Sequence, residues 1–297
     1  MVSTVGTCYP LWLRRLQQAG VAAAGFELDL LLEGSCSISK AQRLAHPEQE
    51  LCPEKIAQIQ SWLSRREAGE PLQYLLGWWE FYGRRFAVGP GVLIPRADTE
   101  ILVEQALEEL ANTPSPRIAD LCAGSGCIGL TVACERPDAE VALLELSPKA
   151  GEYCKKNILS LAPQCCFVQA DVLKNTAGLA NMDAVLSNPP YIPSGDLPEL
   201  QREVQHEPSL ALDGADDGLR FYREIPFLWK KVLKPGGLLA FEIGFHQAQA
   251  VCALMRSAGF DSVRVVQDYG GNDRVVLGRK AKKENQACPK QKERIRK

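Results

Sequence analysis

Apolar residues recur at three- and four-residue spacing through the first part of the chain and predict helices over Tyr9–Ala19, Ala22–Leu32, Ser39–Ala45 and Pro53–Glu67. Pro53 suits a first helical turn, and Gly34 and Gly69 read as stops. Residues 71–95 change character. Tyr74, Trp78, Trp79, Phe81, Tyr82 and Phe86 alternate around Gly77 and Gly83, the pattern of a β-hairpin linker with aromatics packed between domains. A helix follows over Thr99–Leu110, and then short apolar runs and helical periods take turns. Strands are predicted at Arg117–Leu121, Glu140–Leu144, Cys166–Gln169, Met182–Ser187 and Gly237–Glu242. Helices are predicted from the glycine-rich turn after Leu121 through Cys134, then at Pro148–Leu161, Leu219–Leu233 and Gln247–Ala258. Ser262–Gln267 and Arg274–Leu277 close the series as an antiparallel hairpin. Such alternation predicts an α/β fold with a doubly wound, mostly parallel sheet, whose ligands bind off the carboxyl ends of the strands. The expected division is a helical domain (1–75), a hairpin linker (76–95), a catalytic domain (96–278) and a tail (279–297).

Charge sharpens this division. The net charge is −1 over residues 1–75, −8 over 76–278 and +7 over 279–297. An acidic main domain lacks the footprint of a nucleic-acid binder, so no direct DNA binding is expected. The basic tail is poor in apolar residues and is expected to be disordered. No apolar run approaches the roughly 18 residues of a membrane span, and Glu27 and Asp29 interrupt the stretch after Arg14 and Arg15. A cytoplasmic location, with no membrane partner, is the expectation. Eleven cysteines occur without any Cys-x-x-Cys, and the three histidines are not at ligand spacing. Reduced thiols and no metal are expected.

The candidate chemistry lies at strand ends. Gly124, Gly126 and Gly129 form G-x-G-x-x-G between the first strand and its helix. That loop, with Cys122, Ala123 and Ser125, suits a dinucleotide or an adenosyl-methionine equally. Glu145, ending the next strand, is placed to accept both ribose hydroxyls of either cofactor. Asp171, or the backbone of Val172, is placed at an adenine edge. Asn188-Pro189-Pro190-Tyr191 ends a buried strand and distinguishes the two cofactors. Two prolines stiffen the backbone and leave only carbonyl acceptors. Asn188 adds a side-chain oxygen, and Tyr191 offers a stacking face. Asn188 Oδ1 and the Pro189 carbonyl can hold both N–H bonds of a planar –NH2 and aim its lone pair outward. Positive charge grows on an attacking nitrogen, so such acceptors assist methyl transfer. Hydride transfer has no need of them.

On these residues the chain resembles the PrmC/HemK family of protein-(glutamine-N5) methyltransferases. The resemblance runs through Glu70-Pro71-Leu72-Gln73-Tyr74, Val92-Leu93-Ile94-Pro95-Arg96 and Asp98-Thr99-Glu100. It continues through the glycine loop, Asn188-Pro189-Pro190-Tyr191-Ile192, Glu207-Pro208, Asp217-Gly218-Leu219, Glu242-Ile243-Gly244 and Asp273-Arg274. It implies a class I, seven-stranded Rossmann-like methyltransferase using S-adenosyl-L-methionine and releasing S-adenosyl-L-homocysteine. The implied substrate is the Gly-Gly-Gln glutamine of peptide chain release factors, gripped in part by the helical domain. The glycine loop and Glu145 are then cofactor residues, with Asn188 beside the cofactor. Asn188, Pro189, Pro190 and Tyr191 are glutamine residues, and Asn188 and Pro189 carry the catalysis. The chain departs from the family where Cys122-Ala123 replace the common Gly-Thr, and where Glu145 replaces the common Asp. The alternatives are an adenine-N6 nucleic-acid methyltransferase, a glutamine methyltransferase acting on a ribosomal protein, a nicotinamide oxidoreductase and a non-catalytic binding module.

Overall fold

The computed structural model describes residues 3–282. Five helices come first: α1 (Val5–Gln18), α2 (Ala24–Cys36), α3 (Lys40–Ala45), α4 (Pro53–Glu67) and α5 (Leu72–Leu76). α1 begins earlier than its periodicity suggests. Thr4 caps it reciprocally with Thr7, satisfying first-turn N–H groups ahead of Pro10. Trp12, Leu16, Leu28, Leu31, Ile59 and Leu63 face one another in a core of their own. α5 was not expected. Pro71 starts it and Gly77, at φ 78°, ends it, so the hairpin is confined to β1 (Trp78–Phe81) and β2 (Arg84–Ala87).

The rest alternates. In chain order come α6 (Glu100–Glu109), β3 (Arg117–Leu121), α7 (Cys127–Glu135), β4 (Glu140–Glu145), α8 (Pro148–Leu161), β5 (Cys166–Gln169) and β6 (Met182–Ser187). Then follow α9 (Arg220–Trp229), β7 (Leu233–Glu242), α10 (Ala248–Ser257), β8 (Phe260–Gln267) and β9 (Asp273–Lys280). β3 through β9 form one seven-stranded sheet in the order β5-β4-β3-β6-β7-β9-β8, in which β9 alone runs against the other strands and so pairs antiparallel with both β7 and β8. Its two faces are covered by separate apolar cores. The doubly wound, mostly parallel architecture expected from the sequence is therefore present.

The larger differences from the sequence reading lie in the second half of the chain. α9 stops at Trp229, and β7 starts at Leu233 to pair with Met182. Three short 3-10 turns occupy Ser194–Glu199, Val204–His206 and Ser209–Ala211, where the pattern suggested no element. β9 runs through Arg279 and Lys280, which are therefore strand and not disordered tail. Arg279 is held there by the Gly236 and Glu109 carbonyls and the Glu109 carboxylate. The expected disordered tail from residue 283 onward lies outside the described residues.

The strand order reverses between β3 and β6. β3 leads outward through β4 and β5, and β6 begins the other half. Ligands collect at the carboxyl side of such a switch point. Leu121 pairs with Ser187, and Ser187 with Phe241. The next residue of each strand or loop (Cys122, Asn188 and Glu242) is thus carried to the same edge.

Candidate active site

Two clefts meet at this edge. The larger encloses about 1060 Å3 including its open mouth. The end of β4 and the loops after β3 and β5 build its floor with Cys122, Ala123, Gly124, Ser125, Glu145, Asp171 and Val172, and Gly91, Val92, Leu93, Pro95 and Arg96 contribute to its wall. The smaller, about 420 Å3, is lined by Leu93, Arg96, Tyr191, Ile192, Leu212 and Glu242. Asn188 lines both. The residue with the amide acceptor therefore stands on the boundary between them.

The glycine loop is shaped by backbone demands. Gly126 does not line either cleft. It caps α7 at φ 83°, where a Cβ would lie 3.0–3.1 Å from Leu130, Leu143 and Cys154. Gly129 lets α7 settle on β3: its N–H donates to Asp120 Oδ2 at 2.9 Å, and a Cβ there would lie 3.0 Å from Asp120 Cβ. Cys122 adopts φ 58°, a left-handed conformation where a side chain is strained. Its thiol, pushed well above the ordinary range mainly by burial, stays neutral.

Glu145 is 8% exposed and already carries two hydrogen bonds. Gly124 N–H donates to Oε2 at 2.9 Å and Ser147 N–H to Oε1 at 2.7 Å. A carboxylate has about four lone-pair positions, so one per oxygen remains for a diol. Burial raises its pKa, and the backbone N–H bonds of Ser147 and Gly124 work against that rise. Asp171 closes its own loop by accepting from Leu173 N–H at 3.0 Å, and it pairs with Lys174 at 3.1 Å. The Val172 carbonyl accepts from Trp229 Nε1 at 2.8 Å, which leaves its N–H as the group offered to a ligand edge.

A buried carboxylate with free lone-pair positions, an apolar floor at Leu146 and Val172, and Gly124 allowing close approach fit an adenosyl cofactor.

The clamp is supported from beneath. Gln247 Nε2 donates to the Tyr191 carbonyl at 3.0 Å and to the Gly218 carbonyl at 3.3 Å, while Gly244 N–H donates to Gln247 Oε1 at 3.0 Å. Gly218, at φ 71°, leaves no room for a side chain; a Cβ would lie 2.2 Å from the Tyr191 carbonyl oxygen. Ile192 exchanges backbone hydrogen bonds with Leu212 and Gly214 at 2.9 and 2.8 Å. Asp217-Gly218-Leu219, Ala211-Leu212 and Gln247 thus hold the backbone that follows the prolines. Pro190 lines the larger cleft only, Tyr191 the smaller only, and the buried Pro189 neither. Any role for Pro189 rests on its carbonyl. The Tyr191 phenol is pushed up to about 12, first by burial and then by Glu242, and remains protonated.

Asn188 itself is oriented. Its Nδ2 donates to Thr99 Oγ1 at 3.3 Å, which leaves Oδ1 as the free acceptor. Thr99 is 1% exposed and lies near the buried Glu242, whose pKa its hydroxyl lowers. Burial raises the Glu242 carboxyl to about 7, opposed by the Thr99 hydroxyl and Arg274. Arg96 pairs with Glu207, whose other oxygen takes the Ile94 N–H at 2.9 Å. The Ile-Pro-Arg and Glu-Pro segments are thereby joined beside the two clefts, with Arg96 lining both and Pro95 and Pro208 the larger. Sequence reasoning quoted Arg96, Thr99, Glu207 and Glu242 within motifs but gave them no role. The signal available was a carboxylate or hydroxyl at the end of an apolar strand or the start of a helix.

Comparison with known proteins agrees with this geometry. The family model described as the PrmC N-terminal domain matches residues 11–77, and that of the methyltransferase small domain matches 97–204. The chain is 44% identical over 268 residues to the release factor glutamine methyltransferase of Moorella thermoacetica, covering 89% of this chain and 94% of that one. The chain belongs to the release factor glutamine methyltransferase family. Other relatives in this family come from Caulobacter vibrioides (39% over 269 residues; 89% of this chain and 92% of that one) and Geobacter sulfurreducens (38% over 270; 90% and 94%). The two clefts of this family member fall within the span shared with those relatives.

Proposed function

We propose that this chain transfers a methyl group from S-adenosyl-L-methionine to the side-chain amide nitrogen of the Gly-Gly-Gln glutamine in peptide chain release factors. The observation that carries the reading is Asn188, on the boundary between a cofactor-sized cleft and a smaller pocket, with its amide oxygen unengaged. The family membership and the curated names of relatives supply the substrate.

The donor supplies an electrophilic methyl on a sulfonium; the amide nitrogen gains the N–C bond, the S–C electron pair stays on sulfur, and one amide proton leaves. The chain's residues hold and orient. Glu145, with its two remaining lone-pair positions, takes the ribose diol, and the Val172 N–H and Asp171 lie at the adenine side. Asn188 Oδ1 and the Pro189 carbonyl accept the two amide N–H bonds, and the Tyr191 face packs on the amide plane. These contacts place the nitrogen for in-line attack, worth several powers of ten in rate. As charge grows on nitrogen, the same acceptors bind more tightly. No metal enters the scheme.

We assign residues 1–75 to gripping the release factor. In support, Arg66 of α4 pairs with Glu27 and reaches Glu203 at 2.9 Å, in the segment that carries Val204 to the smaller cleft. Among the described residues no helix is long and apolar enough to cross a membrane, and a cytoplasmic site of action is proposed with the substrate. The test is transfer of labelled methyl to a purified release factor, with mass spectrometry of the Gly-Gly-Gln peptide. Label on that glutamine supports the proposal. Label on DNA or a ribosomal protein, or none, overturns it.

A further inference from the structure

The end of β7 carries a buried carboxylate that the scheme above does not use. Glu242 is 1% exposed, lines the smaller cleft, and its Oε2 has no hydrogen-bond partner. A buried carboxylate with an unpartnered oxygen is expensive to retain for packing alone. The hydroxyl of Thr99, itself 1% exposed, lies near enough to hold the Glu242 pKa down against burial. Thr99 Oγ1 in turn accepts from Asn188 Nδ2 at 3.3 Å.

A hydroxyl has one proton and two lone pairs. With Glu242 ionised, the Thr99 proton goes to the carboxylate, so Thr99 can present only a lone pair to Asn188. Asn188 must answer with its NH2, and its Oδ1 faces the clefts. Without that fixed direction, the Asn188 amide can turn over and present NH2 to the incoming amide, donor against donor. We propose that Thr99 and Glu242 are positioning residues for methyl transfer, forming a one-way hydrogen-bond relay that fixes which end of the Asn188 amide meets the substrate. This inference rests on the glutamine-methylation reading but concerns the orientation of the clamp, not its substrate.

The relay has a pH consequence. Glu242 is faced by Arg274 of β9, by Arg96 and Asp98 before α6, by Tyr191 of the clamp, by Tyr222 of α9 and by Cys127 of α7. Burial outweighs the two arginines and brings the carboxyl to about 7. Protonation removes the charge that sets the Thr99 hydroxyl, so single-turnover transfer should rise with pH through that region.

The experiment measures single-turnover methyl transfer to a release factor by the full chain from about pH 6 to 8.5, bracketing the ordinary range of such a raised carboxyl, with S-adenosyl-homocysteine affinity measured alongside. Wild-type transfer to the glutamine tests the functional reading; the variants test the relay. Thr99→Val should lower kcat about 10- to 100-fold, the scale of a misplaced reacting group, and change KM for the cofactor far less, since Thr99 lines the larger cleft but its hydroxyl is turned to Asn188. Thr99→Ser should restore most of kcat. Glu242→Gln should lower kcat and flatten the pH profile. Full kcat in Thr99→Val, failure of Thr99→Ser to rescue, or an unchanged pH limb in Glu242→Gln overturns the relay. If a variant does not fold, the wild-type profile still decides: a rate independent of pH across this range also overturns it.

Discussion

Replacing Glu145 by Gln changes one oxygen to NH2 and leaves size nearly constant. Both oxygens are engaged, Oε1 by Ser147 N–H at 2.7 Å and Oε2 by Gly124 N–H at 2.9 Å. Whichever way the new amide turns, its NH2 faces one backbone N–H. One hydrogen bond to a charged group is lost, worth about 1.5–3 kcal/mol. Removing a charge that burial disfavours offsets part of this, so stability should fall by only about 1–2 kcal/mol. The cofactor loses more selectively. One of the two diol acceptors becomes a donor, so Kd for S-adenosyl-homocysteine should rise about 10- to 100-fold, as expected for one charge-assisted hydrogen bond. At saturating cofactor, kcat should fall far less, because the clamp is untouched. Isothermal titration and saturation kinetics measure the two quantities. A Kd within twofold of wild type, or a loss confined to kcat, refutes the assignment of Glu145 to the diol.

Three further outcomes follow from the glycine loop and its surroundings. Cys122→Gly relieves a left-handed φ of 58°, and after the added freedom of the unfolded chain should stabilise the protein by up to about 1 kcal/mol in urea unfolding; a clear loss of stability would mean that the Cys122 side chain holds the loop. Gly129→Ala sets a Cβ 3.0 Å from Asp120 and 3.1 Å from Val141 and should cost about 1–3 kcal/mol through overpacking; a neutral result in the same assay would refute the close helix–strand fit. Burial raises the Asp120 carboxyl to about 7, against roughly 4 in an unfolded chain. The fold therefore favours the protonated acid, and that contribution is complete below about pH 4 and lost as pH rises through about 7. Asp120→Asn keeps an acceptor for Gly129 N–H without this loss, so its stability relative to wild type should increase between about pH 4.5 and 7.5; a constant difference refutes the burial argument. Glu242 titrates in the same direction in both proteins and cancels in the comparison.

Much of the sheet was legible because alternating apolar runs and helical periods leave few topologies. Boundaries failed where local rules competed. Pro71 and Gly77 made a short helix out of an aromatic run, and Arg279 and Lys280 joined a strand because Glu109 and Gly236 were waiting for them. The 3-10 turns between Ser194 and Ala211 have no periodicity to read, since Arg96 and Arg66 fix that segment from distant parts of the chain. Of the candidate site, Asn188, Glu145 and the glycine loop were visible because polar and glycine residues at strand ends stand out. Thr99 and Glu242 did not stand out. Each looks ordinary in its own helix or strand, and only the pairing of β6 with β7 sets Glu242 beside Asn188. Gly126 and Pro189 were expected in the site from their motifs, yet they line neither cleft.

If the Asn188 amide oxygen holds the substrate amide beside the cofactor, Asn188→Ala should separate chemistry from cofactor binding, and single-turnover methyl transfer from labelled donor to a release factor, measured alongside cofactor affinity, reads both. Transfer should fall by about a hundredfold or more, with S-adenosyl-homocysteine affinity within a few-fold of wild type. Transfer at near wild-type rate, or a loss explained entirely by weaker cofactor binding, would contradict this role for Asn188.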